Sequence, residues 1–405
     1  MSSSADPITP AQWKVLIAAG LGWMLDALDV MLYAFALGAI RSEFGLDAAQ
    51  AGALASVTLL ASAAGGILFG FAADRIGRAR ALIVSILTYS VFTALTATSR
   101  SVAELVLWRA LVGIGLGGEW SAGSVLVAET WPARHRGKAI GLMQSGWAIG
   151  YAAAALLAAA ILPAYGWRVL FALGIAPALL TVWIRRSVPE PEIWSAAARR
   201  PLRDAGALLR PPLRRRVVVS TALATSLLFA YWGLFTWVPS YLAGSKEAGG
   251  AGLGIVRSSW WIVAMQAGAF LGYSSFGFLA DRFGRRPTLQ LFVLGAAVLV
   301  PVYGMGARSA TALLLLGPLV GFFGHGYFSV FGAMLAELFP SSIRGTAQGL
   351  CYNAGRAVSA IAPFTIGALA DAYGLGTALA FTSAFFLAGA FLVLLLPETR
   401  GKELS

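Results

Sequence analysis

Six ionisable side chains interrupt long apolar stretches of this 405-residue chain: Asp26, Asp29, Arg109, Glu119, His325 and Arg356. A charge at membrane depth is costly, so such a residue is by default part of a substrate, ion or proton path. Asp26 and Asp29 are three residues apart, which on a helix is about 60° of rotation and about 4.5 Å of rise. Both therefore point to one face, which Tyr33 extends. Two carboxylates this close in a dry site do not both ionise easily, so the pair is expected to hold a proton, as coupling to a proton gradient requires. The same acids equally suit an ion pair that locks the N-terminal half. Arg109 and Glu119 share one stretch, about 15 Å apart. The glycines at 113, 115, 117 and 118 between them let a second backbone come close. Arg109 is expected to pair with Asp26 or Asp29 and Glu119 to join them, for proton transfer or as a structural triad.

Arg356 has no acid inside the apolar stretches of its own half. A guanidinium left facing a cavity is a bidentate clamp for a carboxylate. Tyr352 and Asn353 lie within a turn of it and Gln348 two turns back, a polar stripe that fits such a site. The alternative is that Arg356 reaches across to Asp26 or Asp29. His325, in Gly-His-Gly, is either a proton relay or a packed histidine. Tyr231 and Gln144, with Trp147, Trp232, Trp237 and Tyr327 nearby, are candidate cavity walls, although membrane aromatics more often anchor at the lipid interface.

The elements that carry these residues follow from composition. The chain is 58% hydrophobic and 12% charged, against roughly 45–50% and about 25% in soluble domains. So few charges cannot cover a water-facing surface, which excludes a soluble enzyme or a nucleic-acid-binding domain. The single cysteine, Cys351, rules out an internal disulfide and a cysteine metal cluster. There is also no phosphate-binding Gly-Lys-Ser/Thr loop, and no enzyme activity or cofactor is expected. Apolar stretches near 14–40, 50–72, 81–98, 104–128, 138–162, 167–185, 217–243, 258–280, 288–306, 310–336, 346–370 and 376–396 are long enough to cross a bilayer. The leading MSSSADPITPAQWK shows no cleavage-type signal, so the first stretch is expected to stay as an anchor. With twelve crossings, 22 of the 30 Lys and Arg fall on one side, six on the other and two inside spans. That bias predicts both termini in the cytoplasm and explains the net charge of +12 without a nucleic-acid partner.

Three signatures repeat in register. Gly70 opens GFAADRIGR and Gly277 opens GFLADRFGR, 207 residues on. Glu129 opens ETWPARHRG and Glu337 opens ELFPSSIRG, while Pro189 and Pro397 follow the sixth and twelfth stretches, both pairs 208 apart. A six-span unit has been duplicated, and an even span number keeps the copies in the same orientation. The predicted architecture is an all-α membrane protein of twelve transmembrane helices in two pseudo-symmetric six-helix bundles. Its parts are an N-terminal bundle (1–186), a cytoplasmic linker (187–216) and a C-terminal bundle (217–405). In this layout the halves enclose one central cavity and rock to give alternating access.

On these residues the chain resembles the major facilitator superfamily over essentially its whole length. Asp74, Arg75 and Arg78 match the signature loop between spans two and three, and Asp281, Arg282 and Arg285 repeat it. Arg109 with Gly113, Gly115 and Gly118 matches the fourth-span signature, and Pro397-Glu398-Thr399 the end of the twelfth. The resemblance implies that the loop acids and arginines pair to hold the cytoplasmic side shut, with Glu129, Arg136, Glu337 and Arg344 joining the network. Carboxylates there can also cap a neighbouring helix N-terminus. LDALDVMLYAFAL from Leu25, GIGLGGEWSAGSVLVAETW from Gly113 and YNAGRAVSAIAPF from Tyr352 are similar to the sialate:proton and aromatic acid:proton symporter groups. One departure is Asp26-Ala27-Leu28-Asp29, where many paired-acid carriers have Asp-Gly-Phe-Asp. The resemblance implies an inner-membrane symporter of a small organic anion (sialate, lactate or aromatic acid), working as a monomer among membrane lipids with the proton as coupling ion. Arg356 would bind the substrate carboxylate, and Asp26 and Asp29, assisted by Arg109 and Glu119, the proton. The competing readings are a proton-driven exporter of cationic compounds, which Arg356 would repel, and a uniporter of neutral solutes.

Overall fold

Thr9 starts the first helix by a reciprocal cap: its hydroxyl accepts the Gln12 N–H at 3.3 Å, and the Gln12 side chain accepts the Thr9 N–H at 2.8 Å. From there α1 (Pro10–Phe44) runs 35 residues, and Asp47 with Gln50 repeats the device for α2 (Ala48–Ile76). The computed structural model describes residues 8–187, 208, 210–211, 213–247, 249–307, 309–340 and 344–400. The side chains of Asp74, Glu129, Arg136 and Arg344 fall outside the described set, as does most of the expected linker 187–216.

The N-terminal half continues with α3 (Arg78–Thr96), α4 (Val102–Thr130), α5 (Ala133–Ala172) and α6 (Ala178–Ser187). The C-terminal half holds α7 (Leu213–Phe235), α8 (Val238–Ala243), α9 (Gly254–Phe283), α10 (Arg285–Pro301), α11 (Ala310–Gly326), α12 (Phe328–Leu338), α13 (Arg344–Ser359), α14 (Ala362–Tyr373) and α15 (Leu375–Leu394). No strand occurs among the described residues. The duplication is visible in the backbone: Gly77 turns α2 into α3 at φ 107°, and Gly284 turns α9 into α10 at φ 106°, a conformation only glycine adopts without strain.

Every predicted apolar stretch falls on helix, and eight described helical stretches are long and apolar enough to cross a membrane. Several spans expected to be continuous are broken. The helix from 217 to 243 divides into α7 and α8 just before Pro239, and that from 346 to 370 divides into α13 and α14 just before Pro363. Proline lacks an N–H and fits a first turn without losing a helical bond, and here the chain ends one helix and begins another with it. The fifth and sixth stretches join through a kink at Gly166 rather than a loop.

Large apolar side chains such as Phe278, Val298 and Leu315 cover the outer surface, as lipid contact requires. Inside, small residues let backbones touch. A Cβ on Gly150 would collide with the Met24 carbonyl of α1, one on Gly117 with Ser62 of α2, and one on Gly268 with Pro318 of α11. The two halves meet along a seam in which α5 packs on α9, and α2 on α13 and α14.

Candidate transport site

Two charge clusters, joined through the neighbouring carboxylates of Asp26 and Asp29, stand where the paired acids of α1 point. Arg109 takes its partners from the N-terminal half: its Nε donates to Thr58 Oγ1 at 3.2 Å, and its guanidinium sits 5.1 Å over the Tyr33 ring. Arg109 is the cation that acts on buried Asp29, beside Thr93. Tyr33 donates to the Ala51 carbonyl at 2.8 Å and so belongs to this cluster.

Asp26, one turn earlier, is held differently. The cation acting on it is Arg356, from α13 in the other half. Neither Asp26 oxygen accepts a hydrogen bond, and the Arg356 Nε has no partner. Glu119 is the next acid to feel Asp26, with Tyr89 beside it. Gly22 makes that approach possible, since a Cβ there would run into Glu119 Oε1. The four predicted coupling residues therefore divide into Asp29–Arg109 and Asp26–Glu119, and Arg356 completes the second group.

The polar stripe around Arg356 splits. Tyr352 stays with Arg356 and Asp26. Gln348 turns to the Gly332 carbonyl of α12 at 3.1 Å, and Asn353 donates to its own helix at Gly349 at 3.1 Å while its oxygen approaches Gly66 of α2.

Next to Asp26 an aromatic wall crosses the seam. Trp23 packs on Trp147 with centroids 4.8 Å apart, and Trp147 Nε1 donates to the Tyr231 hydroxyl at 2.5 Å. Tyr231, Phe235, Tyr273 and, from the N-terminal half, Tyr151 surround the ring of His325 at 5.1, 4.0, 6.1 and 6.5 Å. His325 Nδ1 lies 3.2 Å from the Gly321 carbonyl, and Nε2 is left without a partner. Gln144 is nearly buried with its side-chain oxygen unpaired. Trp237 and Tyr327 are instead tied to backbone carbonyls of Pro363 and Leu227 and serve packing. Trp23, Tyr151 and Tyr273 escaped the sequence reading. Trp23 had a signal, lying three residues before Asp26 on the same face, whereas Tyr151 and Tyr273 reach the site only through helix register.

The loop motifs form a second constellation at the Gly284 turn. Arg285 pairs with Asp281 and lies 3.5 Å from Glu337, which accepts the Thr399 hydroxyl at 2.5 Å. Glu337 thus joins the network through Arg285 of its own half, and the Arg344 side chain lies outside the described set. The cap on α10 comes from Glu398 rather than Asp281: its two oxygens accept the Arg285 and Arg286 N–H groups at 2.9 and 3.0 Å. Partial burial would raise the Glu398 carboxyl, but the N–H groups of Arg285, Arg400, Arg286 and Thr399 outweigh it and hold the group below the ordinary glutamate range. Arg282 lies 5.4 Å over the Phe283 ring, Arg78 donates to the Ala73 carbonyl at 2.8 Å, and Arg75 is exposed. Pairs across the halves through Asp74, Glu129 or Arg136 lie outside the described residues.

Comparison with known proteins agrees with this architecture. The model of the Major Facilitator Superfamily matches residues 19–273 and 251–405. The probable 4-methylmuconolactone transporter of Cupriavidus pinatubonensis is 36% identical over 400 residues, covering 97% of this chain and 92% of that protein. The cis,cis-muconate transport protein of Acinetobacter baylyi is 34% identical over 397 residues, covering 95% of both. Among solved structures, a D-xylose-proton symporter superposes with a TM-score of 0.78 at 21% identity, covering 97% of this chain and 99% of that one, a likeness of fold.

Proposed function

The chain belongs to the major facilitator superfamily as a multi-pass membrane transporter, and from that premise we propose that it carries a small organic carboxylate together with a proton. In this reading twelve spans cross the cytoplasmic membrane by alternating access. Both ends and the Gly77 and Gly284 turns face the cytoplasm, and the molecule works as a monomer among lipids with no cofactor beyond the coupling proton. The observation that carries it is the opposition of Asp26 and Arg356 across the seam, with the Arg356 Nε and both Asp26 oxygens unbonded.

Charge counting supplies the coupling rule. Empty, Asp26 carboxylate and Arg356 guanidinium neutralise each other. Loaded, a proton on Asp26 frees Arg356 to take the substrate carboxylate, and the site is neutral again. A proton alone leaves one positive charge in a closed, water-poor seam, and an anion alone leaves one negative charge. Both half-loaded states carry the cost of an unpaired buried ion and resist the swing. Only the empty and doubly loaded carriers cross easily. Asp29 and Arg109 form a like pair one turn away, able to pass the proton on or to hold the half rigid.

The Trp23–Trp147–Tyr231–His325 wall beside Asp26 offers flat rings and few hydrogen bonds. It suits an acid with a planar apolar body better than a polyhydroxylated one. The muconate and methylmuconolactone carriers among the relatives support that preference.

The test is uptake into proteoliposomes of cis,cis-muconate, a hydroxybenzoate, nicotinate, lactate and sialate, with and without an inward proton gradient. We expect the gradient to drive one of the planar acids and a protonophore to abolish the effect. Outward movement of a lipophilic cation with no acid transport would overturn the reading.

A further inference from the structure

Asp371, near the end of α14 in the C-terminal half, reaches the first turn of α2 in the N-terminal half. Its Oδ1 accepts the Ala48 N–H at 3.1 Å and its Oδ2 the Ala49 N–H at 2.9 Å, while Arg41 Nη2 of α1 lies 3.9 Å from Oδ1. The first N–H groups of a helix have no partner within it and form the positive end of its dipole. The helix's own cap, Asp47, takes the Gln50 N–H at 2.6 Å and leaves those of Ala48 and Ala49 to Asp371. The N-terminus of α2 is thus capped partly by its own half and partly by the other.

Behind this cap the two backbones touch. A Cβ on Gly52 would collide with the Pro363 carbonyl, and one on Gly367 with the Ala48 carbonyl. The Phe364 N–H adds a bond to Ser56 Oγ at 3.3 Å. Beside the contact lies a cavity of about 610 Å³ lined by Arg41, Ala48, Leu162, Pro163, Ser240 and Asp371. Glu43 on the same face shows the contrast. Its side chain is 41% exposed, close to the 38% of Asp371, yet it pairs with Arg168 of its own half at 2.7 Å and cannot join the halves.

We infer that Asp371 is a latch between the halves, holding the seam shut on the face opposite the Gly77 and Gly284 turns. This rests on the alternating-access reading above, in which that face is external. Opening outward requires the α2 N-terminus to leave Asp371, which breaks both hydrogen bonds and separates the partly exposed carboxylate from the positive end of the helix. Since a charge-assisted cap is stronger than a neutral one, the latch sets how much of the population opens outward.

The test needs no substrate, so its failure and the failure of the carrier reading are distinguishable. In a Cys351→Ser background a cysteine at position 55 reports on the seam, because Ala55 lines a small cleft with Trp232 and Thr236 of the other half. The rate at which a membrane-impermeant maleimide labels it from outside intact cells measures outward opening. Asp371→Asn is expected to raise that rate on the order of ten-fold. Ala48→Pro deletes one donor while suiting the first helical position, since Asp47 is already extended at φ −71°, ψ 173°. It should raise the rate about three-fold. Glu43→Gln should leave it unchanged. Equal rates in wild type, Asp371→Asn and Ala48→Pro, or an equal rise in Glu43→Gln, would overturn the latch.

Discussion

Asp26 of α1 and Arg356 of α13 face each other across the seam between the halves, and neither the aspartate oxygens nor the arginine Nε has a hydrogen-bond partner. The two feel each other's charge without closing into an ion pair, and Asp29 and Arg109 keep unbonded atoms as well. What sets Asp26 and Arg356 apart is their place in opposite halves, where the carrier proposed above lets a substrate carboxylate take the arginine. Arg356→Ala should therefore raise KM for the carried acid on the order of 100-fold or abolish uptake, while Arg356→Lys, which loses the bidentate fork, keeps a small fraction. Asp26→Asn should instead remove the stimulation by a proton gradient while leaving acid-for-acid exchange. Uptake and counterflow in proteoliposomes separate the two, and unchanged gradient stimulation in Asp26→Asn would sink the coupling rule.

Asp29 and Arg109 are both inside one half and fully buried. Removing one partner leaves an unpaired buried charge, which costs roughly 3–5 kcal/mol. Arg109→Gln is expected to lower the melting temperature in detergent clearly, and Asp29→Asn combined with it to recover part of the loss. Thermal unfolding of the two single variants and the double variant gives the coupling directly.

Glu398 is held below its usual range by the N–H groups it caps. A group whose folded pKa is depressed contributes stability that is present above its unfolded value and lost as pH falls through the folded one. The gap in melting temperature between wild type and Glu398→Gln should be full at neutral pH and should shrink below about pH 4. A gap independent of pH would show that Glu398 acts by packing alone.

Gly22 and Gly38 lie on the same helix, yet a Cβ at Gly22 meets Glu119 and one at Gly38 meets nothing within 4 Å. Gly22→Ala is expected to destabilise by about 1–3 kcal/mol and to disturb proton coupling, with Gly38→Ala close to wild type in melting temperature and uptake.

Trp147→Phe keeps a ring in the aromatic wall but loses the donor to the Tyr231 hydroxyl. KM for a planar acid should rise several-fold with kcat nearly unchanged, since the loss is of ground-state binding. A fall in kcat alone would place Trp147 in the moving seam instead.

The spans, their duplication and the loop motifs were legible in the residues themselves. A bilayer crossing demands a long run of apolar side chains, and a signature such as Gly277–Arg285 is read within one segment. Asp26, Asp29, Arg109, Glu119 and Arg356 stood out for the same local reason, as charges in apolar surroundings. Their partners did not. Asp26 and Asp29 are only about 60° apart around the helix, so which of them meets Arg356 depends on a register set by packing of small residues such as Gly22 and Gly150 against neighbouring helices. Asp371, Tyr151 and Tyr273 carried no signal in the sequence. Each gained its place from contact with elements remote in sequence, up to 323 residues away for Asp371 and Ala48. Periodicity within a helix determines which face a side chain occupies. What that face meets is decided by interlocking backbones, and so belongs to the tertiary structure.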